Sequence, residues 1–245
     1  MIKMDIKHLN LRESRAVHCS ECALSPVCLP PALADEDLDQ LENIIGRNRP
    51  IPRGEVLFRS GSHFEAIFAV RSGAIKTYSI AANGEEQITG FYFPGEIVGL
   101  DSIGHQTYES TAIALESTAI CAIPFEALEE LSLKHTSLNH HIFKLMSSEI
   151  RSDHRIMQMV GKRPAEEKVA TLLLSFATRY KRRNLCENNI HLPMSRADIG
   201  NHLGLAIETV SRIFTHFQEL GVISVNGKHI TVLNQKELYA LAAPC

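Results

Sequence analysis

The chain has 245 residues, enough for one large domain or two ordinary ones, and 44% of them are hydrophobic while 22% are charged. This composition is typical of globular proteins and excludes a chain that is disordered throughout. No apolar run approaches the ~18 residues that a membrane-spanning helix needs, and the first residues lack the apolar core of a secretory signal. We therefore expect a cytoplasmic protein without a membrane partner, in a compartment where thiols stay reduced.

The net charge of −3 conceals an asymmetry between the two parts of the chain. Residues 1–133 carry 10 Lys and Arg against 19 Asp and Glu, whereas residues 134–245 carry 15 against 9. The asymmetry predicts two regions with different partners, and the basic C-terminal region is the candidate for binding nucleic acid.

Three of the six cysteines, Cys19, Cys22 and Cys28, lie within ten residues near the N-terminus. Their Cys-x2-Cys-x5-Cys spacing is typical of metal ligands but lacks a fourth thiolate nearby. Cys121 would complete the set if the N-terminal arm packs against its strand, although a lone buried cysteine is usually a small hydrophobic residue. Four thiolates suit either a tetrahedral zinc ion or a 4Fe-4S cluster, and the spacing does not distinguish these two groups.

Short β-type segments alternate with glycines from Pro50 to about Pro124 and predict a small antiparallel barrel or roll. Asn83-Gly84 stands between two of these segments. This dipeptide predicts a hairpin with a two-residue turn, in which both residues have positive φ.

A long helix is predicted from Asn139 to about Gly161, because apolar residues recur there at spacings of three, four or seven. They form a seam wide enough for one partner helix, such as the same helix of a second copy of the chain. The alternative is that this helix packs against the roll of its own chain. If a two-fold axis runs along the seam, the two Asp153 side chains repel each other there, and the dimer is marginal. The predicted dimer interface comprises Ile142, Met146, Ile150, Asp153, Met157 and Val160.

The C-terminal region contains the signals of two short helices joined by a tight turn. Ser195 to Asp198 predicts a capping box, Gly204 a left-handed stop, and residues 206–220 a second helix. The stretch around Asn226-Gly227 then predicts another tight hairpin. Helix, turn, helix and hairpin together predict a winged helix-turn-helix, which is a DNA-binding motif.

The second of these helices has two opposite faces. One is an apolar stripe of Val210, Ile213, Phe214, Phe217 and Leu220, and the other is polar and carries Glu208, Ser211, Arg212 and Thr215. Arg212 is suited to guanine, Glu208 to the amino group of cytosine, and Ser211 to several base edges. The alternative is a helical hairpin without a ligand.

The glycine spacing of the roll resembles that of the cyclic-nucleotide-binding rolls of the CRP/FNR regulators. It is carried by Gly54, Gly61, Gly73, Gly95 and Gly99. A buried nucleotide phosphate needs a cation, yet there is neither Lys nor Arg between Lys76 and Lys134, and Glu109 stands about where the family has its phosphate-binding Arg. We therefore do not expect a cyclic nucleotide to bind.

From His18 to Leu241 the chain resembles the FNR/Anr-type oxygen-responsive transcription regulators, most specifically in its cysteines and in the segments RSGAIKT, EEQITGF and IGNHLGLAIETVSRIF. The resemblance implies that Cys19, Cys22, Cys28 and Cys121 hold an oxygen-labile 4Fe-4S cluster. It implies a DNA-binding homodimer that oxygen converts to monomers, and contact between exposed loops of the roll and RNA polymerase. It also implies that Glu208, Ser211 and Arg212 read a palindrome of TTGAT-type half-sites.

We expect an α+β protein with four parts: a cluster-binding arm over residues 1–30, a CRP-like β-roll over 31–135, a dimerisation helix over 136–162, and a winged helix-turn-helix over 163–245. No catalytic dyad or cofactor fingerprint predicts an enzyme, and a helix-turn-helix has no place in a redox enzyme. The remaining alternative is a zinc-stapled or small-ligand-sensing CRP-type transcription factor that does not respond to oxygen.

Overall fold

The computed structural model describes residues 18–29, 33–47, 49–81, 83–161 and 163–242, except for the side chains of residues 35, 36, 155 and 158–160. The predicted parts that fall on residues 1–17 and on Cys245 lie outside this description. The chain divides into two compact units. The first comprises the described residues of 1–79 and 90–144, and the second those of 80–89 and 145–245.

The predicted roll is present and consists of two four-stranded antiparallel sheets, with strand orders β1-β8-β3-β6 and β2-β7-β4-β5. Its strands are β1 (Gly46–Arg47), β2 (Val56–Phe58), β3 (Ala66–Ser72), β4 (Ile75–Ile80), β5 (Glu86–Tyr92), β6 (Ile97–Val98), β7 (Thr111–Ala114) and β8 (Ala119–Pro124). Helix α1 (Asp35–Ile44) precedes the strands and α2 (Phe125–Lys134) follows them. This is the α+β architecture that the sequence predicts.

The interior of the roll is filled by aromatic and branched side chains. Phe58 and Tyr108 stack with their ring centroids 4.0 Å apart, and the buried Ile75 and Val98 belong to the same core. The Tyr108 hydroxyl donates a hydrogen bond to the Ala66 carbonyl at 2.7 Å, so the one polar atom of this ring is satisfied. The interior of the roll is therefore a packed hydrophobic core.

The turn between β4 and β5 differs from the predicted two-residue turn. Gly84 has a φ of +84°, whereas Asn83 is not among the described residues with positive φ. The Ala81 amide donates to the Glu85 carbonyl at 2.9 Å, and the Gly84 amide donates to the Ala81 carbonyl at 2.9 Å. The loop is thus longer than predicted, and it needs a left-handed residue only at Gly84.

Helix α3 (Thr136–Val160) has 25 residues and matches the predicted long helix. The second unit then contains α4 (Ala165–Arg182), β9 (Asn189–His191), α5 (Arg196–Leu203), α6 (Ile207–Glu219), β10 (Ile223–Asn226), β11 (His229–Val232) and α7 (Gln235–Leu241). Strands β10, β11 and β9 form an antiparallel sheet in that order. Helices α5 and α6 with this sheet are the predicted winged helix-turn-helix. None of the helices described is long and apolar enough to cross a membrane.

The predicted capping box begins α5. The Ser195 hydroxyl accepts from the Asp198 amide at 3.0 Å, and the Asp198 carboxylate accepts from the Ser195 amide at 2.8 Å. Gly204, with a φ of +64°, ends the helix. A Cβ on Gly200 would collide with the Leu205 carbonyl, so the tight turn between α5 and α6 requires glycine at this position.

Two details of this unit differ from the prediction. The wing hairpin turns at Gly227 and Lys228, because Asn226 pairs with His229 in the sheet. Leu220 is 50% exposed and lies beyond the end of α6, where Gly221 turns the chain away, so it does not extend the buried apolar stripe.

Candidate functional site

Four cysteines from two segments of the chain line one cavity in the first unit. The arm has two short 3-10 turns, Cys19–Glu21 and Ser25–Val27. Cys19 begins the first turn, Cys22 and Cys28 directly follow the two turns, and Cys121 lies on β8. Six apolar side chains, one serine and one cation complete the lining, namely Leu24, Leu29, Ile45, Ala69, Val70, Ile123, Ser25 and Arg71. The convergence of the arm on β8 supplies the fourth sulfur that the N-terminal spacing lacks.

Gly95 lets the arm approach the roll closely. Its φ is +89°, and a Cβ on this residue would overlap the Val27 side chain, which is one residue before Cys28. The requirement for glycine here is therefore twofold, since both the backbone conformation and the contact with the arm exclude a side chain.

Glu42 and Arg47 hold the arm at its other end. The Glu42 carboxylate accepts from the Cys19 amide at 3.1 Å and from the Arg47 guanidinium at 2.8 Å, and it lies 3.1 Å from the His18 ring nitrogen. Burial alone would raise the pKa of Glu42, but these hydrogen bonds and the charge of Arg47 lower it below its usual value. Glu42 is therefore an anion that fixes the backbone of Cys19.

The surroundings of Cys19, Cys28 and Cys121 oppose ionisation of their thiols. Burial raises the pKa of the Cys28 thiol to about 12, and it raises the pKa of Cys19 and Cys121 as well. Arg47 counteracts burial at Cys19 and Cys121, and Arg71 does so at Cys121. A ligand that takes four thiolates must displace these protons, so it must itself carry positive charge.

Arg71 provides a test of what this cavity accepts. Its Nη1 atom is buried and has no hydrogen-bond partner in the described part of the molecule. A group bound by four thiolates would place sulfur acceptors next to this donor. Within the same described residues, no group of three or more His, Cys, Asp or Glu is arranged around a single metal-ion position.

Helix α3 exposes three of the five predicted seam residues whose side chains the structure describes. Ile150 is 54% exposed and Met157 62% exposed, and Asp153 is exposed between them. Ile142 and Met146 are partly buried, and the Val160 side chain lies outside the description.

The predicted seam does not include Phe143, a further exposed apolar residue of α3. Phe143 is 63% exposed and precedes Ile150 and Met157 by seven and fourteen residues, which is the heptad interval. Alternating steps of three and four from Phe143 pass through Met146 and Asp153, whereas Ile142 falls one residue off this line. The sequence signal that could have identified Phe143 is the recurrence of an apolar residue every seven positions, at Phe143, Ile150 and Met157.

The polar face of α6 is exposed as predicted from its periodicity. Glu208, Ser211, Arg212 and Thr215 are exposed, and the opposite residues Val210, Ile213, Phe214 and Phe217 are buried. The Ser211 hydroxyl donates to the Ile207 carbonyl at 2.9 Å, and Arg212 Nε donates to the Glu208 carbonyl at 3.4 Å. These local bonds orient the side chains on the helix surface.

Within the second unit, the end of α5 is bonded to the segment around Ile88. The Asn201 side chain accepts from the Ile88 amide at 2.6 Å and donates to the Glu86 carbonyl at 2.7 Å, and His202 Nδ1 lies 3.0 Å from the Ile88 carbonyl. His202 is 3% exposed. Burial lowers its pKa below the usual value, and the charge of Arg179 acts in the same direction. The neutral imidazole is therefore part of this contact.

Comparison with known proteins agrees with this architecture. Residues 48–135 match the model of the cyclic nucleotide-binding domain, and residues 167–241 match that of the Crp-like helix-turn-helix domain. The transcriptional activator protein Anr of Pseudomonas aeruginosa is 48% identical over 96% of each chain. The fumarate and nitrate reduction regulatory protein of Salmonella typhimurium is 43% identical over 93% of this chain and 91% of its own.

The chain belongs to the FNR/Anr family of anaerobic transcriptional regulators. The solved structure of FixK2 from Bradyrhizobium japonicum has a TM-score of 0.75 at 27% identity, and the match covers 82% of this chain and 99% of FixK2. Membership confirms the resemblance on which the sequence prediction relied. As an FNR/Anr-type protein, the chain is a DNA-binding transcription regulator and not an enzyme.

Sequence reasoning missed the charged residues around the cysteines. Glu42 and Arg47 are five residues apart at the end of α1 and in β1, and their sequence surroundings give no sign of a cysteine site. Arg71 is the last residue but one of β3 and looks like an ordinary residue at the end of a strand. Their relation to the cysteines is seen only in three dimensions: Arg47 pairs with Cys121, Glu42 binds the Cys19 amide, and Arg71 lines the cavity.

Proposed function

We propose that the protein is an oxygen-sensing transcription regulator whose Cys19, Cys22, Cys28 and Cys121 hold a 4Fe-4S cluster. The observation that carries this proposal is the convergence of these four cysteines on one cavity, in a chain that has relatives named anaerobic regulatory protein. Apart from Ser25 and Arg71, the rest of the lining is apolar, which suits a site that must keep water away from its sulfurs.

The residues around the cavity have separate tasks in this proposal. When bound, the cluster supplies an oxygen-labile link between the arm and the roll. Glu42 orients Cys19 through its backbone amide, and Gly95 admits Val27 so that Cys28 reaches the cavity. Arg47 and Arg71 place positive charge beside the thiolates, which compensates the net negative charge of a four-thiolate site.

Dimerisation along α3 connects the cavity to DNA binding. We propose the heptad line Phe143, Met146, Ile150, Asp153, Met157 and Val160 as the interface, with Ile142 beside it. The like charges of the two Asp153 residues oppose association, so the intact cluster must contribute a few kcal/mol of interface energy to favour the dimer. Each ~1.4 kcal/mol changes the dimerisation constant tenfold. If Asp153→Ala leaves the cluster-free protein as monomeric as the parent in sedimentation, this repulsion has no role.

The dimer would present two α6 helices to a palindrome. We propose that Glu208, Ser211 and Arg212 contact base edges in TTGAT-type half-sites, because all three side chains are exposed on one face of the recognition helix. The exposed tip around Asn83 and Gly84 and the loop at Gly104 are candidate contacts for RNA polymerase. The Glu109 side chain is 54% exposed and stands about where the family has its phosphate-binding Arg, which supports a regulator that binds no cyclic nucleotide. Similarity to transcription regulators supports a location in the cytoplasm.

Anaerobic purification tests the proposal directly. The protein should be brown, should contain about four iron and four sulfide per chain, and should bleach in air. Cys121→Ser should abolish the colour, whereas Cys186→Ser should not, since Cys186 is exposed and does not line the cavity. Colourless protein with about one zinc per chain would instead establish the zinc-stapled alternative.

A further inference from the structure

The last cysteine of the arm is hydrogen-bonded to the dimerisation helix. His141, in the second turn of α3, places its Nε2 atom 3.0 Å from the Cys28 carbonyl oxygen. A carbonyl can only accept, so this nitrogen carries the proton, whether the ring is neutral or charged. Both residues belong to the first unit, and both are partly buried.

The residues beside this contact are held firmly. Leu29, the next residue after Cys28, is 1% exposed, and Leu138, one turn before His141, is fully buried. The Cys28 amide donates to the Leu24 carbonyl at 3.0 Å, which fixes the peptide on the other side. The Cys28 carbonyl is therefore held in a defined position against α3 as long as the arm stays docked at the cavity.

We propose that His141 is a positioning residue that couples the occupancy of the cysteine cavity to the dimerisation helix. The inference rests on the proposed function, because it gives Cys28 two roles: its sulfur binds the cluster, and its carbonyl oxygen binds His141 of α3. His141 precedes Phe143, the first residue of the heptad line, by two residues. Fixing Cys28 thus fixes the end of α3 at which the interface begins, and release of Cys28 frees it.

The chain offers a close control for this proposal. His140 is adjacent in sequence and on the same helix, but its side chain is exposed. His140→Ala removes an imidazole without touching the Cys28 carbonyl, whereas His141→Ala removes the hydrogen bond. His141→Gln keeps a side-chain N–H donor at similar reach, and it separates loss of the bond from loss of the ring.

The experiment measures the dimer dissociation constant by sedimentation for the parent and the three variants, each with cluster under anaerobic conditions and without it. For cluster-loaded His141→Ala we expect an increase of about fivefold, or about 1 kcal/mol at ~1.4 kcal/mol per tenfold. Its iron content should equal that of the parent. We expect no change in the cluster-free form, near-parental values for His141→Gln, and parental values for His140→Ala.

Two results would overturn the inference while leaving the proposed function intact. One is a loaded His141→Ala dimer as tight as that of the parent, and the other is an equal weakening of the loaded and cluster-free forms, which would indicate only a less stable helix. If the parent holds no cluster, or if its dimer constant is the same with and without cluster, the proposed function fails and the inference fails with it.

Discussion

Arg47 on β1 is the direct cross-strand partner of Cys121 on β8, and its guanidinium also lies 3.7 Å from the sulfur of Cys19. One cation thus contacts a cysteine of the arm and approaches the cysteine of the roll. The side chains of Arg47 and of its ion-pair partner Glu42 are only 15% and 14% exposed, so solvent screens this pair weakly. The ion pair of Glu42 and Arg47 links the segment of Cys19 to the segment of Cys121, and these two cysteines are about a hundred residues apart in the sequence.

Arg47→Met should therefore loosen the arm and remove positive charge from the cysteine cavity. We expect the free energy of unfolding of the cluster-free protein to fall by about 1–3 kcal/mol, because Glu42 loses a charged hydrogen-bond partner. The iron content after anaerobic purification should fall as well, and the remaining colour should bleach faster in air. Arg59→Met is the matched control, since Arg59 is exposed on the same roll. Equal behaviour of the two variants would show that Arg47 has no special role.

Gly95→Ala tests how closely the arm must approach the roll. Alanine at a positive φ costs about 1–2 kcal/mol at any such position, but at Gly95 its Cβ would also overlap Val27. Gly104→Ala has the same backbone strain, with a φ of +88° and open space around the added Cβ. We expect both variants to lose similar backbone stability in urea unfolding, and only Gly95→Ala to lose iron. Full iron content in Gly95→Ala would contradict this account of arm docking.

The fold and the cysteine set could be predicted from the sequence for different physical reasons. Local signals located α5, since the capping box at Ser195 and the left-handed Gly204 depend only on neighbouring residues. The exposed face of α6 followed from the helical period. The type of the turn at Asn83 could not be predicted from local sequence, because it depends on the register in which the two flanking strands pair. Phe143 was overlooked because Ile142 satisfies nearly the same spacing.

The zinc or cluster question shows a different limit. Residue spacing indicates which cysteines can lie together, but a zinc ion and a 4Fe-4S cluster both bind four thiolates, so spacing does not distinguish them. The family relationship favours the cluster, while Glu42, Arg47 and Arg71 emerge only from three-dimensional contacts. A strand pairing between Arg47 and Cys121 has no counterpart in local sequence, because it joins residues far apart along the chain.

The buried imidazole of His202 makes the second unit sensitive to acid. Because the folded-state pKa of His202 lies below that of the unfolded chain, ~6.5, the unfolded chain binds the proton more readily. The free energy of unfolding should therefore fall as the pH drops through about 6.5, with a slope of at most about 1.4 kcal/mol per pH unit for this group. His202→Asn keeps a side-chain N–H and does not titrate.

Urea unfolding between about pH 8 and pH 5 measures this effect, as the difference in slope between the parent and His202→Asn. The comparison cancels the contributions of the remaining histidines. A parental slope in His202→Asn would mean that another group carries the acid sensitivity.

Arg212→Ala should weaken specific DNA binding by about 1–3 kcal/mol, the typical contribution of a bidentate contact between Arg and guanine. The affinity should be measured by fluorescence anisotropy on a TTGAT palindrome and on a duplex in which the guanines are replaced. The parent should distinguish these two duplexes, and Arg212→Ala should distinguish them less. Lys236→Ala, an exposed cation on α7, should retain parental discrimination. If Arg212→Ala distinguishes the two duplexes as well as the parent does, Arg212 does not contact the guanine bases.

The central claim is that the cysteine cavity controls the oligomeric state through an oxygen-labile cluster. Sedimentation of one anaerobic sample before and after exposure to air, with iron measured in each fraction, tests this claim most directly. The account predicts a dimer with about four iron per chain before exposure and a largely monomeric protein with less iron afterwards. A sedimentation coefficient that stays unchanged while the iron is lost would contradict it.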